Sequence, residues 1–258
     1  MGKILDQESV IQHKKKAIRK LNSTLEHFIN SNDSKSLKKA DLISYWLEQY
    51  SGYLVAEESY DYKRVMHYKR GDVVQLNFGF NIGSEHGGLH YAIVLDKNNL
   101  QSSPVVTVVP LSSGTEEETY SRDVYLGNEL YEKLNNKYGK LYEQIQKELE
   151  DSKKLDRLID YAKLNVFEKQ PPERINEVLI DLSEKKTKLQ EEIDRLQKYK
   201  KTVDKLKNGS IALVEQITTV SKMRIYTPKN SNDLLYDISF SDGALDKITN
   251  RIKELFIF

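Results

Sequence analysis

Cysteine is absent from the 258-residue chain, which excludes disulfides and thiolate-bound zinc and fits a reducing cytoplasm. Long apolar runs are absent too. None approaches the roughly 20 residues needed to span a bilayer, and the opening MGKILDQESVIQHKKK lacks the apolar centre of a signal peptide. A cytoplasmic protein with no membrane partner is therefore predicted. An excess of one charge is also missing: 40 Lys and Arg against 39 Asp and Glu leave a net charge of +1. Nucleic-acid binding would have to come from local clusters, for which HKKKAIRK (13–20) and YKRVMHYKR (62–70) are the candidates. What is present is a low hydrophobic fraction, 38%, beside a high charged fraction, 31%, the balance of a compact core carrying long solvated helices.

Residues 7 to about 30 place Val10, Ile11, Ile18, Leu21, Leu25 and Phe28 at helical spacing before NSNDS breaks the pattern. Asp33 or Ser34 can cap a second helix running to about residue 58, with Trp46 as the expected core anchor. Two short amphipathic helices should pair with each other and dock on something else. The texture then changes. In RGDVVQLNFGF, Val74, Leu76 and Phe78 alternate with polar neighbours, the period of a half-buried strand. YAIVL (91–95), PVVTVVPL (104–111) and RDVYL (122–126) continue a small, strongly curved sheet.

Helical periodicity returns from about 128 to 207. Leu134, Leu141, Leu155 and Ala162 fall on one seven-residue repeat, and Leu182, Leu189, Leu196 and Val203 on another. EKQPPE between them interrupts the helix. This reads as an antiparallel coiled-coil hairpin. Strands are expected again in GSIALVEQITTV and MRIY, and DGALDKITNRIKELFIF closes the described pattern as a helix capped by Ser241 or Asp242. Strands on both sides make the hairpin an insertion. The predicted organisation is an N-terminal helical extension (1–66), a β domain in two pieces (67–127 and 208–258) and the inserted hairpin (128–207).

Laid end to end, the strand segments YKRGDVVQLNFGFNIGSEHGGLHYAIVLDKNN, SSPVVTVVPLSS and GSIALVEQITTVSKMRI resemble the MazF/PemK family of bacterial toxins. That pattern runs RGD, an alternating strand, GSE-x-GG, a short apolar strand, SP before a β-branched strand ending in a hydroxyl residue, then EQI-x-T. The resemblance covers about 70–113, 209–226 and the terminal helix. It implies an α+β fold built on a small SH3-like or CcdB-like (PemK-type) β-barrel and a homodimer. It also implies a metal-independent endoribonuclease cutting single-stranded RNA or mRNA, and a cognate antitoxin protein, with DNA binding in the antitoxin complex. A binding module that traps a protein such as a DNA topoisomerase is the alternative within the same fold.

The resemblance also designates residues. The family's Arg opening the second strand aligns with His90, and its Thr ending the third with Ser112. Ser keeps the hydroxyl donor, whereas an imidazole replaces a permanent guanidinium fork with a group whose charge depends on pH. His90 and Ser112 are the candidate catalytic residues. Gly83, Ser84, Glu85, His86, Gly87, Gly88 and Arg70 are candidate RNA contacts, the glycines because they let a sugar-phosphate chain approach closely. Glu85 is expected to brace the loop through backbone amides, and Arg70 and Asp72 can pair at the strand entrance. A lone histidine opening a buried strand is more often structural, and that reading stands beside the catalytic one for His90. His67, His86 and His90 lack a third ligand at suitable spacing, so no metal or cofactor is predicted.

Overall fold

The computed structural model describes residues 6–166, 172–206 and 208–257. It divides into two compact units. One is built from the N-terminal helices together with Phe78–Gly88, the other from Tyr62–Asn77 and Leu89 onward.

In the first unit, α1 (Gln7–Ile29) is capped by Asp6 and α2 (Ser34–Glu57) by Asp33, whose carboxylate accepts from the Lys35 and Ser36 amides. The helices form a hairpin, with the Lys39 ammonium 4.8 Å from the Phe28 ring centre. They bury little: α1 has no buried residue and α2 only Ala40. Trp46 is therefore not the core anchor its apolar stripe suggested. It is half-buried, and its indole lies against Gly79.

The second unit carries a seven-stranded sheet of β1 (Val73–Asn77), β2 (Leu89–Val94), β3 (Val105–Ser113), β4 (Val124–Tyr125), β5 (Ser210–Ala212), β6 (Thr218–Ser221) and β7 (Ile225–Thr227). The order is β4-β5-β3-β2-β1-β7, with β6 also on β3, and every pairing is antiparallel. The path is open: no pairing among the described residues joins β4 to β7. The segment VEQ, expected within a strand, is instead a 3₁₀ turn over Val214–Gln216 that separates β5 from β6. A second such turn, Lys222–Arg224, leads into β7.

Both faces of the sheet are covered, which explains why YAIVL and PVVTVVPL are nearly continuous apolar runs rather than alternating ones. On one face Val73, Ile93, Val109 and Leu111 share a core with three helices, α3 (Glu129–Val166), α4 (Pro172–Asp204) and α5 (Asp242–Phe256). On the other, Val74, Leu76, Val94, Val106 and Val108 are buried, as are Val220 and Ile225. Lys222 is only 1% exposed. Its ammonium donates to the Leu100 carbonyl at 2.9 Å and the Gln101 carbonyl at 3.4 Å, tying down the β2–β3 loop, and burial pushes its pKa down.

The base of the helical hairpin belongs to the core, because Leu130 and Leu134 of α3 and Val203 of α4 lie in the same cluster as the strands. Farther out the packing thins: Ile145 and Leu196 remain buried, but Leu155, on the predicted seam, is 43% exposed. An ion pair from Lys186 to Asp156, 2.6 Å, links the two helices there. The predicted turn at residues 168–171 and the seam side chains Ala162 and Leu182 lie outside the described residues. α4 opens on Pro172, a residue suited to a first helical turn.

α5 is joined to α3 through its cap. Ser241, the N-cap, donates its hydroxyl to Glu129 at 2.8 Å, and Lys133 pairs with the same carboxylate at 2.7 Å. Burial pushes the Glu129 pKa up, but the bonds from Lys133 and Ser241 outweigh it and hold the value below normal. A lowered carboxylate pKa stabilises the fold above the unfolded value, about 4.3, and that contribution fades as the pH falls through the folded one. Urea titrations at pH 7 and pH 3 should show Glu129→Gln destabilised at pH 7 and close to wild type at pH 3. The same assay should separate the two parts of α3: Leu134→Ala should cost about 2–5 kcal/mol, and Leu155→Ala less than about 1 kcal/mol.

Candidate functional site

β1 and β2 pair in a register that sets Leu76 opposite His90 and Val74 opposite Ala92. β2 and β3 pair Ala92 with Pro110, Ile93 with Val109 and Val94 with Val108, and the ladder stops there. Among the described residues neither His90 nor Ser112 is paired between β2 and β3. Each is held from its outer side, His90 by Leu76 of β1 and Ser112 by Ile211 of β5. Because opposed residues of an antiparallel pair share a face, His90 lies on the face of Leu76, and Ser112 on that of Ile211. His90 and Ser112 are both half-buried. The Ser112 hydroxyl reaches the Ser113 carbonyl at 3.5 Å, a marginal hydrogen bond that leaves it available to another acceptor.

The glycine loop belongs to the other unit and has an internal architecture of its own. The Phe78 amide donates to the Gly88 carbonyl at 2.8 Å and the Gly88 amide to the Gly79 carbonyl at 2.7 Å, closing the loop at its neck. Asn81 crosses the interior, its amide donating to the His86 carbonyl at 2.7 Å. Gly87 is required by close approach, since a Cβ there would lie 2.8 Å from the Gly79 carbonyl oxygen. The Glu85 carboxylate accepts from the Ile82 amide at 3.2 Å, the bracing expected of it. His86 turns inward, its ring edge-on to Phe78 with centroids 5.2 Å apart. Gly83, Ser84 and Glu85 are exposed at the tip.

Arg70 is placed differently. Its guanidinium donates to the Leu95 carbonyl and, at 2.8 Å, to the Thr249 hydroxyl, fastening the end of β2 to α5. It precedes β1, whereas His90 is opposite Leu76 near the end of that strand, a separation of roughly 20 Å at about 3.3 Å per residue. Asp72 does not pair with it. That carboxylate accepts from the Lys69 amide at 2.7 Å, and burial raises its pKa.

Sequence reasoning passed over Arg224. Half-buried, it ends the 3₁₀ turn one residue before Ile225, which is opposite Leu76, itself opposite His90. The signal was present in SKMRI, but only strand pairing relates it to position 90. Tyr91, next to His90, keeps its phenol proton at neutral pH, because burial pushes its pKa up to about 12. A cavity of about 230 Å³ at the base of the α3–α4 hairpin, lined by residues including Leu141, Arg195 and Tyr199, contains none of the predicted site residues. Among the described residues no cluster of three or more His, Asp or Glu side chains is placed to hold a metal, and no helix is long and apolar enough to cross a membrane.

Residues 69–186 match the family described as PemK-like, MazF-like toxin of type II toxin-antitoxin system. No curated protein matches the chain. The match takes in β1 to β4, both candidate catalytic positions and the whole of α3. Since the Arg70 guanidinium is engaged within the fold, Arg70→Ala should lower unfolding stability by about 1–3 kcal/mol, measured by urea denaturation, whatever it does to ligand binding.

Proposed function

Because residues 69–186 match the PemK-like, MazF-like toxin family, we propose that the chain is a metal-independent endoribonuclease acting on single-stranded RNA. What supports the reading is the family match over residues 69–186, which takes in both candidate positions, with His90 on β2 and Ser112 near the end of β3, each half-buried. In this reading a phosphate meets the His90 imidazole and the Ser112 hydroxyl together.

In this mechanism His90 takes the proton from a ribose 2′-hydroxyl, and the 2′-oxygen attacks the adjacent phosphorus. The P–O5′ bond breaks, the leaving oxygen is protonated, and the products are a 2′,3′-cyclic phosphate and a 5′-hydroxyl. Ser112 donates to a non-bridging oxygen as charge develops on it. Arg224 is the candidate for the fixed positive charge that His90 does not provide. Neither His86, packed on Phe78, nor Arg70, bound to Leu95 and Thr249, has a chemical part in this reading. The exposed loop residues Gly83, Ser84 and Glu85 remain RNA contacts.

A type II system pairs its toxin with an antitoxin protein, and we assign this chain such a partner, with DNA binding through that complex and a cytoplasmic setting. The open sheet, bent around β3, is read as the family's small SH3-like barrel. Homodimerisation is supported by the exposed apolar end of α5, where Phe256 is 53% and Ile257 62% exposed.

Purified protein incubated with a long RNA in EDTA should cut it and leave cyclic-phosphate ends. His90→Ala should lower the rate by roughly 10²-fold or more, and the wild-type rate should change across the range where imidazoles titrate, about pH 5 to 8. His90→Arg should flatten that pH profile. Wild-type cutting by His90→Ala would remove the residue from the mechanism, and a wild type inert on every RNA tried would remove the activity.

A further inference from the structure

The glycine loop joins β1 to β2, yet it packs as part of the helical unit. Its point of attachment is Gly79. A Cβ on that residue would stand 2.9 Å from Trp46 Cζ2, 3.1 Å from Cη2 and 3.2 Å from Cε2, so the indole lies directly on the backbone. Its φ of +90° is a second bar to any other residue. The Gly79 carbonyl in turn accepts the Gly88 amide that closes the loop neck. On the helix side Trp46 is wedged between Tyr50 and Tyr53, with ring centroids at 5.6 and 6.3 Å, and Tyr53 accepts a bond from Gln49 at 2.9 Å. The α1–α2 pair buries almost nothing else, and short helices without tertiary contacts are marginal in water. Trp46 on Gly79 is therefore a contact through which hairpin and loop support each other.

We propose that the α1–α2 hairpin is a clamp on the glycine loop, with Trp46 as its positioning residue. By seating on Gly79 it holds Phe78–Gly88 in the conformation that receives RNA, immediately before the strand that carries His90. Trp46 touches no reacting atom. It raises the fraction of the protein whose loop is ready to bind, so losing it weakens apparent affinity in proportion to that fraction. The substrate part of this assignment rests on the endoribonuclease reading; the clamp does not.

Hydrogen exchange at the Phe78 and Gly88 amides, the two donors of the neck, tests the clamp without any RNA. Trp46→Ala should speed their exchange by about tenfold or more, as expected when a local opening equilibrium shifts, while Trp46→Phe restores most of the protection. Gly79→Ala approaches the same contact from the loop side and leaves the α2 sequence intact. It should give the same faster exchange and shift the emission of Trp46, the single tryptophan of the chain, to the red. This second variant keeps the test decisive if Trp46→Ala loses helix by circular dichroism. Unchanged exchange in both variants would overturn the clamp. With RNA, Trp46→Ala should raise KM by about fivefold or more and leave kcat within about twofold, in contrast to His90→Ala, which lowers kcat. Faster exchange with an unchanged KM would overturn the positioning role, and a wild type that cuts no RNA would refute the proposed activity while the exchange data still decided the clamp.

Discussion

The second unit depends on one strand. β3 (Val105–Ser113) pairs with β2 along one edge, and along the other with β6 over Val105–Val108 and with β5 over Leu111–Ser113. No straight strand can serve both β5 and β6, and the change of partner falls at Val109–Pro110. Proline cannot donate to a ladder. Its carbonyl accepts the Leu213 amide at 2.9 Å, catching the chain as it leaves β5. A single residue without an N–H thus divides the sheet, and β4, β5 and the helices packed on them follow one half of the division while β6 follows the other.

The two candidate catalytic positions are each fixed by a neighbouring strand, His90 by Leu76 of β1 and Ser112 by Ile211 of β5. Strand backbone held in this way suits groups that must be kept in place. The glycine loop solves another problem. Its chain must reverse between β1 and β2 with little side-chain bulk, and it does so through backbone bonds at the neck and the Asn81 bridge. Its inward residues, Phe78 and His86, are thereby committed to structure, and its tip, Gly83 to Glu85, is left exposed.

Much of this was legible from residue order. The caps at Asp33 and Ser241, the extent of α1 and α2 and the strands at 73–77, 89–94 and 105–113 follow from side chains acting on their own neighbourhood, and the structure agrees with them. The pairing of β2 with β3 was legible for a similar reason: two strands joined by a short connection pair antiparallel. Val214–Gln216 was not, because β-branched and apolar residues favour a strand locally and only the passage from β5 to β6 forces a turn. Arg70 shows a limit, because an arginine at a strand entrance carries no mark in the sequence of whether its fork meets a ligand or a carbonyl. Leu155 sits on a sound heptad and is exposed, since periodicity specifies a stripe and not what covers it.

By itself, then, the sequence determined which segments are helix and which are strand, where most of them begin, and which family pattern they compose, because capping, periodicity and turn chemistry act over a few residues. Tertiary structure decided what long-range contact alone can decide. It turned the Arg70 guanidinium to Leu95 and Thr249 and merged the foot of the α3–α4 hairpin into the core through Leu130, Leu134 and Val203. It also seated Trp46 on Gly79 and not in a helical core. A tryptophan on an apolar stripe is equally consistent with either place. The free energy that chooses between them lies in a backbone 33 residues farther along the chain, where a glycine leaves room for an indole.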